Sequence, residues 1–253
     1  TYGGSSIDVL NDVAVSPTGL VAVGENWSDS NGGSDAWLLI TDAKGLNANS
    51  KVFGGSGNEE ANAVAVTADG GYVITGKSSP KGGAQLWVLR TDAQGNALWQ
   101  SDHGGGQSEY GHGIAVWPDG SIVVAGETNT GTSGYDAWLL RFNPWGTLQW
   151  TQKIGGGGNQ WAAAVTAFAD GSAFAVGRSY GNDTDPFAMR IGPWGHGDCE
   201  FVGDCGSREE SSCDDGNPCT ADGCDSIDGC THVQLKDGSP CGGLATCGAG
   251  LCS

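Results

Sequence analysis

The stretch "DAWLLITDAKG", residues 35–45, joins a run of strand-forming residues to a tight turn. It returns as "QLWVLRTDAQG" (85–95), as "DAWLLRFNPWG" (136–146) and, in a weaker form, as "DPFAMRIGPWG" (185–195). Successive copies are 49 to 51 residues apart. A repeat of this length is typical of propellers and solenoids, so the stretch predicts a fold built by duplication.

Three further features of the chain keep the same period. A Gly-Gly pair begins at Gly3, Gly54, Gly104 and Gly155. A turn recurs at Thr18-Gly19, Asp69-Gly70, Asp119-Gly120 and Asp170-Gly171, and an aromatic residue recurs at Trp37, Trp87, Trp138 and Phe187. We interpret the aromatic residue as part of the core between neighbouring units, because large aromatic side chains are usually buried.

The second repeat shows what one unit contains. "AVAVT" (63–67), "YVITGK" (72–77), "LWVLRT" (86–91) and "NALWQSDH" (96–103) are short runs bounded by turn residues, and each predicts a strand. Four antiparallel strands in about 50 residues are the blade of a β-propeller. We expect inner strands near 12–16, 63–67, 113–117 and 164–168.

The sequence therefore predicts an all-β propeller domain over residues 1–203. Its four four-stranded antiparallel blades correspond to the repeats at about 3–53, 54–103, 104–154 and 155–202. The four blades either form the whole ring or belong to a larger propeller. The opening "TYGG" is either the tail of another blade or a short strand that helps to close the ring.

A resemblance to known repeats supports this fold. The pattern GG…(V/I)AV…DG…V.G…D.W(L/V)LR.(D/N)..G…W resembles the β-propeller repeats of secreted bacterial surface proteins, including the delta-60 type. It covers residues 1 to about 203. The resemblance implies the fold and leaves the function open, because propellers carry many functions.

The nine cysteines all lie in the C-terminal part of the chain, which predicts a second module over residues 204–253. They are Cys199, Cys205, Cys213, Cys219, Cys224, Cys230, Cys241, Cys247 and Cys252. This density predicts a disulfide-stapled module formed in an oxidising compartment, with a disulfide from Cys199 or Cys205 at the junction. A zinc site is disfavoured because no C-x2-C pair is present.

The stretch "CDDGNPCTADGCDSIDGC", residues 213–230, is similar to the Dictyostelium (slime mould) repeat, a cysteine-rich extracellular-matrix module. The resemblance implies an extracellular structural or adhesive setting.

The charge of the chain excludes some partners. Lys and Arg total 11 against 29 Asp and Glu, which gives a net charge of −18. Such a chain repels nucleic-acid phosphates and anionic membranes. No apolar run is long enough to span a bilayer. We expect neither nucleic-acid binding nor membrane insertion.

One aligned position before the inner strands reads Asp8, Glu59, Glu109 and Gln160. Because these loops meet at one mouth of a propeller channel, the three acids could bind Ca²⁺ through oxygen ligands. The alternative is a solvated acidic rim. In the tail, Asp214 and Asp215 are further Ca²⁺ candidates, against the alternative that they only form turns.

No catalytic motif accompanies the four histidines, so we expect no enzyme. The sequence favours an extracellular, secreted or cell-surface structural protein for surface assembly, adhesion or matrix contact. Its partners would be a protein or glycan, or further copies in an oligomer or filament. A carbohydrate-binding propeller is the alternative. A hydrolase is third, with an acidic channel-mouth site formed from Glu59, Glu60, Glu109, Tyr110 and His112.

Overall fold

The computed structural model describes the propeller region with short gaps and the backbone of five strands in the tail. The described residues are 1–79, 83–105, 107–129, 131, 134–155, 158–180, 184–193, 195, 197–198, 220–225, 229–234, 240–242, 245–248 and 251–252. Every regular element in these ranges is a β-strand, so they contain no helix that could cross a membrane.

Residues 8–198 form four antiparallel sheets of four strands, each in chain order, which confirms the predicted blades. Blade 1 contains β1 (Asp8–Ser16), β2 (Gly19–Asn26), β3 (Asp35–Thr41) and β4 (Asn49–Phe53). Blade 2 contains β5 (Glu59–Val66), β6 (Tyr72–Ser78), β7 (Gln85–Thr91) and β8 (Ala97–His103). Blade 3 contains β9 (Glu109–Val116), β10 (Ile122–Asn129), β11 (Tyr135–Phe142) and β12 (Leu148–Ile154). Blade 4 contains β13 (Asn159–Ala167), β14 (Ala173–Tyr180), β15 (Thr184–Ile191) and β16 (Gly197–Asp198).

The inner strand of each blade begins four or five residues before its predicted start. In blade 2 it begins at Glu59, and the register with β6 shifts between Ala61 and Ala63. This bulge interrupts the alternation of side chains, and the residues before it include strand-disfavouring Asp, Glu and Asn. The acids predicted to lie in loops are therefore the first residues of β1, β5 and β9.

A glycine in the second strand of each blade faces this bulge. A Cβ atom on Gly76 would overlap the carbonyl oxygen of Glu60, a residue of the inner strand. Gly24, Gly126 and Gly177 meet the same obstacle in the other three blades. The recurring glycine is therefore required by a close approach of two backbones.

Neighbouring blades are joined by apolar cores. Between blades 1 and 2, Val21, Leu38 and Ile40 pack with Tyr72 and Ile74. Trp87, Trp138 and Phe187 lie at the successive junctions, which confirms the interpretation of the recurring aromatic residue at three of its four positions. We call the side of a blade that packs on the preceding blade its leading face, and the opposite side its trailing face.

The opening segment contains no strand. Residues 1–7 precede β1, and the Tyr2 hydroxyl donates a hydrogen bond to the carbonyl oxygen of Gly45. Of the two alternatives for "TYGG", the short strand that closes the ring is therefore wrong, because residues 1–7 contain no strand and contact blade 1. The other alternative, the tail of another blade, stays a prediction.

The tail contains five short strands: β17 (Thr220–Asp225), β18 (Gly229–Gln234), β19 (Pro240–Gly242), β20 (Ala245–Gly248) and β21 (Leu251–Cys252). The backbone places Cys224 opposite Cys230 and Cys247 opposite Cys252. The side chains of the nine cysteines lie outside the described residues, so the disulfides stay predictions.

Candidate functional site at the channel mouth

The inner strands of all four blades line one cleft, the channel that the fold predicts. Its wall includes Asn11 of blade 1, Asn62 of blade 2, His112 of blade 3 and Ala163 of blade 4. The Asn11 side chain donates to the carbonyl of Ala61 at 3.0 Å. The Asn62 side chain donates to the carbonyl of Gly111 at 2.9 Å. These amides hold adjacent inner strands together.

The acids at the start of the inner strands hold Gly-Gly turns. The Gly4 amide donates to Asp8 Oδ2 at 2.7 Å, and the Gly55 amide donates to Glu59 Oε2 at 2.8 Å. The Gly105 amide donates to the carboxylate of Glu109 in the same way. Because the donor is always four residues before the acid, one local role explains the recurring carboxylate.

Asp8 is the most extensively hydrogen-bonded of these acids. Its carboxylate also accepts from the Ser28 hydroxyl at 2.7 Å and from the backbone amides of Trp27 and Ser28 at 3.0 and 3.2 Å. The hydrogen bond from the Gly4 amide, aided by those from Ser28 and Trp27, lowers the pKa of Asp8 against a smaller effect of burial. Asp8 therefore joins the opening segment to the end of β2.

Glu109 differs from Asp8 in that its pKa is raised rather than lowered. It is 1% exposed, and its Oε2 has no hydrogen-bond partner among the described residues. Burial raises the pKa of Glu109, and the Gly105 amide and the charge of Lys153 only partly oppose this. The ionised carboxylate is thus destabilised in the folded protein relative to the unfolded chain.

We expect Glu109→Gln to raise the free energy of unfolding at pH 7 by about 1 kcal/mol. A raised folded-state pKa gives a contribution to stability that is present at low pH and lost as pH rises through that pKa. The gain should therefore vanish in acid, where Glu109 is protonated. Blade 4 already has Gln160 at this position, bonded to the Ser179 hydroxyl at 3.2 Å. Urea unfolding at several pH values measures the effect.

Asp8→Asn provides the control of opposite sign. Folding lowers the pKa of Asp8, so the ionised carboxylate stabilises the folded protein at pH values above the unfolded-state pKa. This stabilisation is lost as pH falls through the folded-state pKa. The Asp8 variant should lose stability at pH 7. A Glu109→Gln variant that is also less stable at pH 7 would contradict the proposed cost of the buried charge.

Asp35, which was not predicted from the sequence, is a further buried carboxylate at the mouth and shares with Glu109 an oxygen that is unpartnered in the described part of the chain. It is 3% exposed, and its Oδ1 has no hydrogen-bond partner among the described residues. Asp35 Oδ1 and Glu59 Oε2 both lie against Gly54, so the two carboxylates are neighbours across the junction of blades 1 and 2. The recurrence of Asp136 at the equivalent place in blade 3 was the available signal.

The Ca²⁺ hypothesis stays a prediction. Asp8, Glu59 and Glu109 belong to three different blades, and each already accepts a backbone amide. The part of the chain that the structure describes holds no group of three His, Cys, Asp or Glu able to bind a metal. The Asp35–Glu59 pair supplies fewer residues than the six to eight oxygen ligands of Ca²⁺ require. Asp214 and Asp215 lie outside the described residues.

A row of aromatic rings crosses blades 3 and 4 at the same mouth. Ring centroids are 6.3 Å apart for Tyr110 and His112, 6.1 Å for His112 and Trp161, and 5.6 Å for Trp161 and Tyr180. Tyr135 lies 6.5 Å from Tyr110. All five side chains are half-buried. We call these five residues the aromatic row.

Charged side chains border the aromatic row. Lys77 forms an ion pair with Glu60 at 2.7 Å and lies 6.0 Å from the Tyr110 ring. The guanidinium of Arg178 lies 4.8 Å from the Trp161 ring, and His112 Nε2 lies 3.3 Å from Glu127 Oε1. Glu60, Tyr110 and His112 were predicted candidates, whereas Lys77, Glu127 and Arg178 were not, because these three lie on the second strands and reach the site only through cross-strand pairing.

Two solved structures illustrate the similarity of the propeller region to known proteins. A subtype N11 neuraminidase-like protein of A/flat-faced bat/Peru superposes with a TM-score of 0.44 at 12% identity, over 71% of this chain and 48% of that chain. A puromycin hydrolase mutant complexed with PGG superposes with a TM-score of 0.46 at 16% identity, over 88% of this chain and 33% of that chain. The chain therefore spans half or less of these proteins.

Comparison of sequences gives one match. No curated protein matches the chain. Residues 212–235 match the Dictyostelium (slime mold) repeat family, which agrees with the resemblance found in the cysteine-rich stretch, whereas no match names a bacterial repeat family for the propeller.

Proposed function

We propose that the chain is an extracellular structural or interaction protein that contacts another protein through an apolar face of its propeller. The observation that carries the proposal is the leading face of blade 1. Val13 and Val15 in β1 are 61% and 80% exposed, whereas Val64, the equivalent of Val13 in blade 2, is 6% exposed. Contiguous apolar surface of this kind usually marks an interaction site.

The roles of the polar residues favour binding over catalysis. The carboxylates of Asp8, Glu59 and Glu109 hold turns, and the amides of Asn11 and Asn62 hold neighbouring strands. An acid or base for catalysis must instead be free to exchange a proton with a substrate. The repeat match at 212–235 and the nine cysteines support an extracellular setting.

The double substitution Val13→Lys and Val15→Lys tests this function. We expect the wild-type protein to remain with the surface or matrix fraction of the producing cells. The variant should shift to the medium by a factor of 10 or more, because buried unpaired charge disfavours the contact. Immunoblotting of the two fractions measures the shift.

Leu98→Lys is the matched control, because Leu98 is exposed on β8, the outermost strand of blade 2, and belongs to neither open face. It should distribute like the wild type. Equal distribution of the double variant and the wild type would argue against this function.

The alternative function is carbohydrate binding, and the aromatic row is the observation that favours it. Half-buried aromatic rings beside carboxylates and cations can stack on the apolar faces of sugars and hydrogen-bond their hydroxyls. Under this alternative, Trp161→Ala would abolish retention on neutral polysaccharide columns, whereas the Val13 and Val15 substitutions would not. Wild-type protein that elutes without retention from a panel of such columns would exclude it.

A further inference from the structure

Among the described residues, no blade packs on the leading face of blade 1, although Tyr2 of the opening segment lies beside it. The face consists of Leu10, Val13, Val15, Leu20 and Ala22. The first three are exposed and the last two half-buried. Their equivalents in blade 2 lie in the core shared with blade 1, which includes Ala61, Val64, Val66, Tyr72 and Ile74. Blade 1 therefore leaves exposed the inner-strand part of the apolar surface that blade 2 buries, whereas Trp37 and Leu39 in β3 are buried.

Blade 4 has the complementary exposed apolar surface, which lies on its trailing face. The face consists of Phe168, Phe174, Val176 and Ala188. Phe168 is 42% exposed, whereas its equivalent in blade 3, Trp117, is 3% exposed. Val176 is 39% exposed, whereas the equivalent Ala125 is fully buried. Two positions that blade 3 buries against blade 4 are thus exposed in blade 4, and Phe174 and Ala188 are half-buried.

The arginine on the trailing face of blade 4 already has the carboxylate partner that it would require when buried. Arg190 is paired with Asp170 at 2.5 Å and lies 5.6 Å from the Phe168 ring. Arg90 at the equivalent position of blade 2 is buried while paired with Asp69 at 2.6 Å. Covering blade 4 would therefore bury a paired arginine, as blade 2 already does, and avoids the cost of an unpaired charge.

We propose that a second copy of this chain covers these faces, with the trailing face of blade 4 in one copy packed on the leading face of blade 1 in the next. All three junctions within the chain join a trailing face to a leading face. The two open faces are one of each kind, so one copy supplies what the other lacks. This head-to-tail contact generates a closed ring if the rotation closes and a filament if it does not.

This inference rests on the proposed function and names its partner. Sedimentation velocity of the full chain tests it, because the monomer has a mass of 25.7 kDa. We expect the wild type to sediment as a dimer or larger species at micromolar concentration. A wild type that stays monomeric up to about 100 μM would overturn the proposal, since a contact weaker than this is not a stable interface.

Mixing two variants gives the decisive measurement. Val13→Lys with Val15→Lys leaves only the trailing face intact, and Phe168→Lys with Val176→Lys leaves only the leading face intact. Each variant alone should be monomeric, and an equal mixture should form a one-to-one heterodimer. The Leu98→Lys control should behave like the wild type, and circular dichroism should show retained strand content in every variant.

The outcomes separate this proposal from the function on which it rests. If the mixture fails to associate while the wild type self-associates, the contact uses other surfaces and the proposal is wrong. If the wild type is monomeric but Val13→Lys with Val15→Lys still releases the protein from the cell surface, the leading face binds a different partner. In that case the proposed function stands and the head-to-tail contact does not.

Discussion

Replacing Gly126 with alanine should lower the free energy of unfolding by about 3 kcal/mol or more. Gly126 in β10 faces the bulge of β9, where a Cβ atom would overlap the carbonyl oxygen of Tyr110. The obstacle is backbone rather than a flexible side chain, so relief requires the two strands to separate. Chemical denaturation with fluorescence of the buried tryptophans measures the loss.

Gly105→Ala is the matched control for this prediction. A Cβ atom on Gly105 meets nothing within 4 Å, and the residue lies outside the left-handed region. We expect this variant to lie within about 0.5 kcal/mol of the wild type. Alanine at Gly24, Gly76 or Gly177 should lower the free energy of unfolding by a similar amount. Of these three, only Gly76 lies in a blade that is packed on both faces. A Gly126→Ala variant as stable as Gly105→Ala would show that the bulge can relax.

The second large effect concerns Tyr72 and its counterpart in blade 1. Tyr72 in β6 is fully buried at the junction of blades 1 and 2, so Tyr72→Ala should cost about 3–5 kcal/mol through lost burial and the cavity that remains. Leu20 is the equivalent residue of blade 1 and is half-buried on the open leading face. For the monomer, Leu20→Ala should cost about 1 kcal/mol.

Both Tyr72 and Leu20 variants should be measured at a concentration where the protein is monomeric, because association would bury Leu20. Circular dichroism melting and urea titration give the two free energies of unfolding. Similar losses at the two positions would mean that the leading face of blade 1 is covered within the monomer. That result would also remove the basis for the head-to-tail contact.

The repeat period determined much of the fold. Each copy carries its own turn residues and its own alternation of apolar residues, and these signals are local. The number of blades, the strand order and the burial of Trp87 and Trp138 could therefore be predicted. The predicted inner strands were too short, because the first halves of these strands are polar and a bulge interrupts the alternation of inward and outward side chains.

The role of the acids was decided by the tertiary structure. The aligned position of Asp8, Glu59 and Glu109 suggested either a Ca²⁺ site or a solvated acidic rim, and the structure adds that each carboxylate accepts a hydrogen bond from the Gly-Gly turn four residues before it. A residue that recurs in every repeat has a role in every repeat. Whether that role is a local hydrogen bond or a site shared between repeats depends on distances between the repeats, which the sequence does not give. The aromatic row was missed for a related reason, since its members come from different strands and blades.

The sequence by itself determined that each blade has two apolar faces, because the strands of every repeat carry apolar residues that point to both sides of the sheet. It could not determine which faces are covered. Val13 and Val64 occupy the same position in nearly the same local sequence, yet one is exposed and the other buried. The difference arises because blade 1 packs in front of Val64 and no described blade packs in front of Val13, and burial is a property of neighbours in space.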